Sequence, residues 1–187
     1  MRIIAGIYKG RRIEFPLHIR PTQDKVRQAI FNTLGQDFEG LSVLDLFAGS
    51  GAMGLEALSR GAKRVVFVDI ERKCNLLIGR NLENLGISGK SGVQIENYRQ
   101  DIFRAIEIAS KRELSFDVIF ADPPYGKDLA KKLLKTGTLS DILPPRGLLV
   151  VEHSFQDALD FDSSASSLEF FRESRYGKIK VSFFQKK

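Results

Sequence analysis

Cysteine is nearly absent from this sequence: Cys74 stands alone among 187 residues, there is no tryptophan, and histidine occurs twice. One thiol cannot close an internal disulfide, so a reduced, cytoplasmic setting is the expectation. Two histidines and one cysteine are too few and too scattered for a common zinc site, and no metal is expected. Long hydrophobic runs are also missing. The longest, Val65 to Val68 and Leu148 to Val151, have strand length, so no membrane span is expected. Met1 to Gly10 carries no apolar core of the kind a secretory leader needs, which predicts no signal peptide. Cys74 itself falls in a helical pattern and reads as packing.

What is present is a chain of ordinary globular composition, 43% hydrophobic and 28% charged, which is enough for one full core. One domain over residues 1–187 is the simplest reading, with residues 1–40 as a basic extension and 41–187 as the main body. The charge is unevenly spread. Residues 1–27 carry seven basic side chains against two acidic, residues 171–187 carry six against one, and the whole chain is +6. Two ends at +5 leave a middle at −4, a pattern that suits a polyanionic partner docking across the termini. A solvated basic surface explains the same charge.

The N-terminal stretches Arg2 to Tyr8 and Arg12 to Phe15 read as two short strands around Lys9-Gly10-Arg11, a basic hairpin. Arg2, Lys9, Arg11 and Arg12 there, with Arg20, Thr22 and Lys25 just beyond, are candidate phosphate contacts, and Tyr8 a candidate for stacking on a base. An edge ribbon protected by charge is the plainer alternative. Thr22 can cap a helix in which Val26, Ala29, Ile30, Thr33 and Leu34 share a buried face, with Lys25, Arg27 and Gln28 off it and Gly35 as its stop.

Past Gly40, strands and helices alternate. Strands are predicted at Ser42–Leu46, Arg64–Val68, Val93–Tyr98, Phe116–Ala121 and Leu148–Glu152. Helices are predicted at Gly51–Arg60, Glu71–Leu85, after Asp101, and at Lys127–Leu134. Glu169–Arg175 and Lys178–Gln185 read as a closing hairpin around Tyr176-Gly177. The pattern implies a doubly wound, Rossmann-like α/β sheet, mostly parallel, with an antiparallel C-terminal hairpin.

Ser42 to Gly54 holds G-x-G-x-x-G spacing at Gly49, Gly51 and Gly54, directly after an apolar strand and opening a helix. That is the setting in which the spacing means nucleotide binding, with N–H groups at the helix start facing the ligand. Asp45 redirects the reading. A carboxylate about 6 Å from a phosphate charge would cost about 3 kcal/mol at an effective dielectric near 20. S-adenosylmethionine (SAM) carries an ammonium and a sulfonium and no phosphate, so Asp45 favours SAM over a nicotinamide dinucleotide. Asp69, twenty positions after Gly49, suits the two hydroxyls of a ribose. Asp101 can accept from the adenine amino group or simply cap a helix.

Asp122-Pro123-Pro124-Tyr125 is the most specific element. It follows an apolar strand, and strand ends face the ligand crevice in such sheets. Two prolines fix the backbone and remove two donors. Asp122 and the Pro123 carbonyl can both accept from an exocyclic amino group, and Tyr125 can stack on the base that bears it, worth roughly 1–3 kcal/mol.

These residues resemble the amino-methyltransferases that act on exocyclic nitrogens. The stretches R-I-I-A-G-x-Y-K-G-R, R-P-T-x-D-K-V-R-Q-A-I-F-N and V-L-D-L-F-A-G-S-G-A-M-G-L-E-A-L-S-R-G-A narrow this. With them the chain is similar to the RsmD family of small-subunit (16S) ribosomal RNA guanine-N2 methyltransferases. The resemblance spans residues 1 to about 152 and resumes weakly at Tyr176-Gly177-Lys178. It implies that Asp45, Phe47, Ala48, Gly49, Ser50 and Gly51 hold the methionine part of SAM. It further implies Asp69 at the ribose, Asp101 near the adenine, Ile70 and Ile102 among the cofactor-binding residues, and Asp122 to Tyr125 gripping a flipped guanine. The partner implied is ribosomal RNA or an assembling small subunit. Two rival classes remain. An adenine-N6 enzyme acting on DNA usually needs an added recognition domain, and only about thirty-five residues follow the core. A nucleic-acid-binding module without catalysis would lack SAM binding.

Overall fold

The structure, a computed structural model, describes residues 1–15, 24–87, 92–157, 159–164 and 166–187. α1 (Asp24–Leu34) precedes the alternating part of the chain. Then follow β1 (Ser42–Leu46), α2 (Ala52–Ser59), β2 (Arg64–Asp69), α3 (Arg72–Asn84), β3 (Gln94–Arg99), α4 (Ile102–Lys111), β4 (Val118–Ala121) and α5 (Leu129–Leu134). β5 (Leu148–Ser154), β6 (Leu168–Tyr176) and β7 (Ile179–Lys186) complete it. The sheet order is β3-β2-β1-β4-β5-β7-β6. β1 to β5 are parallel, and β7 runs antiparallel to both β5 and β6. This is the expected doubly wound, Rossmann-like sheet with its antiparallel C-terminal hairpin.

The central strands are apolar without a break because both faces are covered. Val43, Val65, Phe67, Phe120 and Val150 point to the face holding α1, α2 and α3. Leu44, Leu46, Val66, Ile119 and Val151 point to the face holding α4 and α5. The strand order reverses between β1 and β4, so the loops leaving their C-terminal ends diverge and open a crevice.

The N-terminal stretch keeps the expected antiparallel pairing only in part. Arg2 bridges Arg12, Ile3 donates to the Arg11 carbonyl at 3.0 Å, Gly10 to the Ile3 carbonyl at 2.9 Å and Ile13 to the Met1 carbonyl at 3.1 Å, but the pairing stops short of two regular strands. The backbone donors of Ile4, Ala5 and Ile7 turn to α2 instead. Ile4 and Ala5 donate to the Glu56 carboxylate at 2.8 and 3.0 Å, and Ile7 donates to the Ser59 carbonyl at 2.8 Å. Ile3, Tyr8 and Ile13 turn into the core.

Arg27 is a second departure. It lies fully buried, 3.0 Å from Asp24 and 3.5 Å from Glu56, which in turn holds Arg60 at 2.9 Å. Helical spacing put Arg27 on the solvent side, but the N-terminal segment covers that side. Its guanidinium also donates to the Arg2 carbonyl at 2.5 Å. Burial pulls the Arg27 pKa down, opposed by Glu56 and Asp24. Gly35 ends α1 with φ of 102°, in agreement with its reading as a stop. The proposed Thr22 cap lies outside the described residues.

Candidate active site

A cleft of about 1040 Å³ opens at the switch point between β1 and β4. Every residue singled out for SAM lines it except Gly51: Asp45, Phe47, Ala48, Gly49, Ser50, Asp69, Ile70, Asp101 and Ile102. Asp122, Pro123, Pro124 and Tyr125 line the same cleft from the end of β4. Gly51 sits beneath, at φ of 77°, where an added Cβ would lie 3.1 Å from Ile78 and 3.2 Å from the Phe67 ring. Gly54 does the work of close helix–strand packing, since a Cβ there would meet Phe67 at 2.3 Å.

The glycine amides do not await an anion. Gly49 donates to Oδ2 of Asp69 at 2.8 Å, Gly51 to the Ala48 carbonyl at 2.7 Å, and Gly54 to Oδ2 of Asp45 at 2.9 Å. This corrects the expectation of N–H groups turned toward the ligand. The turn therefore presents carboxylates where a dinucleotide site presents bare amides. That donor set fits a cationic, hydroxyl-rich ligand such as SAM and disfavours a pyrophosphate.

Asp45 is 3% exposed. Burial pushes its carboxyl up to about 7, the Gly54 amide opposes the rise, and the Asp69 charge adds to it. A cation arriving beside it would restore the carboxylate. Asp69 spends its second oxygen on the Glu71 amide at 2.8 Å, while its bond from Gly49 fastens the loop after β1 to the end of β2. Both readings of Asp101 are compatible with its place: it caps α4 through Phe103 and Arg104 at 3.0 and 3.1 Å, and it lines the cleft. Phe47 holds a left-handed φ of 55°, the sharp turn that ends β1 at the cleft.

Asp122 is half-buried, Pro123 buried, and Tyr125 46% exposed. Tyr125 donates its hydroxyl to Oε1 of Glu152 at 2.7 Å. Glu152, at the end of β5, was not singled out in the sequence. Nothing local marks it, because its partners are 27 and 30 positions away on another strand end. Lys127 and Lys178 also line the cleft unannounced. Asn81 is another such residue. Fully buried on α3, it donates to the Ser50 carbonyl at 3.0 Å and the Glu14 carbonyl at 2.9 Å, joining the glycine loop to the N-terminal segment. Cys74 forms part of the cleft wall with its thiol pushed up to about 11 by burial, in keeping with a packing role.

The residues proposed for RNA lie apart from the cleft lining. Lys9, Arg12 and Lys25 are exposed. Arg2 donates to the Gly10 carbonyl at 2.6 Å, and Arg11 to the Leu85 carbonyl at 2.8 Å. Tyr8 is 6% exposed, with the Arg11 guanidinium 5.8 Å from its ring centre, so its face is not open to a base. Packing against α2 overrides its reading as a stacking platform. Arg20 and Thr22 lie outside the described residues. Among the described residues, no cluster of His, Cys, Asp and Glu can hold a metal, and no helix is long and apolar enough to cross a membrane.

Comparison with known proteins bears on the whole chain. Residues 1–185 match the family described as "Conserved hypothetical protein 95". The chain is 38% identical over 189 residues to a "Putative rRNA methyltransferase YlbH" of Bacillus subtilis, with both chains fully covered. It is 30% identical to the "Ribosomal RNA small subunit methyltransferase D" of Escherichia coli K12, covering all of this chain and 90% of that one. Among solved structures, the "Putative methyltransferase yhhF" of Escherichia coli superposes with a TM-score of 0.78 at 29% identity, over 100% of this chain and 97% of that one.

Proposed function

The chain belongs to the Conserved hypothetical protein 95 family, and from that premise we propose that it methylates the exocyclic N2 of a guanine in small-subunit ribosomal RNA. It is a SAM-dependent methyltransferase of Rossmann-like fold, related to the RsmD and YlbH proteins. The observation that carries methyl transfer to an exocyclic amine is one shared cleft. The acidic glycine loop after β1 and the Asp122 to Tyr125 turn after β4 face it together. Guanine over adenine and the choice of small-subunit RNA rest on the likeness to the relatives.

Asp45, the Phe47 to Ser50 loop, Asp69 and Asp101 would hold SAM, which supplies an electrophilic methyl on a sulfonium. An aryl amine is a poor nucleophile because its lone pair is delocalised into the ring. Asp122 and the Pro123 carbonyl, accepting its two N–H protons, draw the nitrogen toward a pyramidal form and aim its lone pair. The Pro-Pro sequence holds these acceptors in place before the base arrives, so catalysis is mainly positioning and electrostatics. Tyr125, its ring half-exposed at the mouth, stacks on the base after it leaves its helix. The proton on the methylated nitrogen is lost later, and Asp122 need not act as a strong base.

The test is methyl transfer from labelled SAM to naked small-subunit RNA, assembled small subunits, DNA and total protein in parallel, with products digested to nucleosides. N2-methylguanosine from either ribosomal substrate is the expected product. Labelled N6-methyladenosine would move the substrate to adenine. No label anywhere, with SAM bound, would defeat the reading of substrate class.

A further inference from the structure

β4 and β5 pair in parallel with Ala121 opposite Val151. The next residue on each strand is a carboxylic acid, Asp122 on one and Glu152 on the other. Side chains alternate along a strand, so both turn to the face that carries Phe120 and Val150. Glu152 is 5% exposed, shares a hydrogen bond with Asp122, and accepts the Tyr125 hydroxyl at 2.7 Å. A buried acid thus touches two of the four residues of the base-gripping turn.

Two carboxylates in hydrogen-bond contact resist the second ionisation, so the pair holds one proton between them until pH passes that step. The surroundings set its tendencies. Asp122 and Tyr125 meet Glu152 from the loop after β4, and Lys127 of that loop and Lys178 of the turn before β7 line the same cleft. Asp45, Asp69, Glu71 and Asp101 are the other acids that line the cleft. Lys180, next to the residue opposite Glu152 on β7, is occupied by Glu173 at 2.7 Å. On α5, Lys131 and Lys132 belong to a helix packed on the other face of the sheet. Burial raises the Glu152 pKa, against the hydrogen bonds from Tyr125 and Asp122.

We propose that Glu152 is a positioning residue for methyl transfer: it takes the proton it shares with Asp122 when an amino group docks, and it anchors Tyr125 through the phenol hydroxyl. The inference rests on the methyltransfer reading above. The proton moves only between the two carboxyls, so no co-reactant is needed and no proton is gained or lost. Asp122 is left as a carboxylate, the form that accepts amino N–H groups best. Above the second ionisation of the pair both acids are charged, repel and displace the turn, so activity falls as pH rises through that step.

Glu152→Ala and Glu152→Gln separate this role from simple packing. The amide of Gln donates to Asp122 and accepts from Tyr125 but cannot ionise. Expected for Glu152→Ala is a kcat loss of about a hundredfold with SAM affinity unchanged. Glu152→Gln should recover to within about tenfold of the parent and lose the alkaline fall in its pH–rate profile. A parent-like kcat in the Ala variant would overturn the proposal, as would an alkaline limb unchanged in the Gln variant. A folded Gln variant as inactive as Ala would also overturn it. An infrared difference spectrum of parent against Glu152→Gln, followed from acid to alkaline pH, needs no substrate. A protonated-acid carbonyl band present only in the parent supports the shared proton even if no nucleic acid is methylated. Its absence in the parent overturns the pair.

Discussion

Gly54 donates its amide to Oδ2 of Asp45 at 2.9 Å, so one hydrogen bond ties the floor of the cleft to the first turn of α2. That bond only partly offsets the cost of burying Asp45, whose carboxyl rises from 3.8 to about 7. A raised acid holds its proton more tightly folded than unfolded. Its contribution to stability is therefore complete below about pH 4 and is lost as pH climbs to about 7. Asp45→Asn keeps an acceptor for Gly54 and cannot ionise. Between about pH 4 and about pH 8 it should gain on the parent by up to about 4 kcal/mol, read by urea unfolding. Parallel pH profiles would show that Asp45 ionises without cost. SAM affinity of the parent should fall about tenfold for each pH unit below about 7, because a cationic ligand calls for the carboxylate.

Gly54→Ala places a methyl 2.3 Å from the Phe67 ring and 2.8 Å from Val65, both in the packed core. The strain should cost about 1–3 kcal/mol and shift α2 outward, displacing the amide that Asp45 accepts. Denaturant melts and SAM calorimetry on the same variant would show both effects. A variant with parent stability would mean that β2 yields more readily than its packing indicates.

Glu56 is the buried junction between the N-terminal segment and the main body. It accepts from Ile4, Ala5 and Arg60 and lies 3.5 Å from Arg27. Glu56→Ala leaves the buried Arg60 guanidinium without its carboxylate and Arg27 with Asp24 alone. About 3–5 kcal/mol should be lost, and residues 1–15 should gain hydrogen exchange before the sheet does. Uniform exchange across the chain would argue against the N-terminal segment being held through this one side chain.

Asp122→Ala removes the acceptor aimed at the amino group. On the proposed reading it leaves SAM affinity unchanged and lowers kcat by about a hundredfold or more. Unchanged turnover would remove Asp122 from the mechanism.

Lys9 and Arg12 are the exposed basic side chains of the N-terminal segment best placed to meet phosphates, since Arg2 and Arg11 are engaged by carbonyls within it. Changing both to Ala should lower the slope of log affinity against log salt for RNA by about 1.5. An unaltered slope would leave the N-terminal charge as a solvated surface.

The sequence by itself determined the order of strands and helices from Ser42 onward, the glycine turn, and the acid-Pro-Pro-aromatic turn after β4. Each is written in short-range terms: apolar runs of strand length, glycines at fixed spacing, prolines that fix their own backbone. Helix and strand bounds agree to within one or two residues for most elements. Tertiary structure alone decided the rest. Helical spacing puts Arg27 outside until residues 1–15 cover it. Tyr8 reads as an open aromatic until α2 claims the backbone around it. The glycine amides look open until Asp45 and Asp69, nine and twenty positions away, accept from two of them. Glu152 carries no local signal at all and meets Asp122 only because β4 and β5 lie side by side. Periodicity records which face of an element is apolar. It does not record which distant polar group will satisfy a donor, and that pairing is fixed when buried groups must find partners away from water.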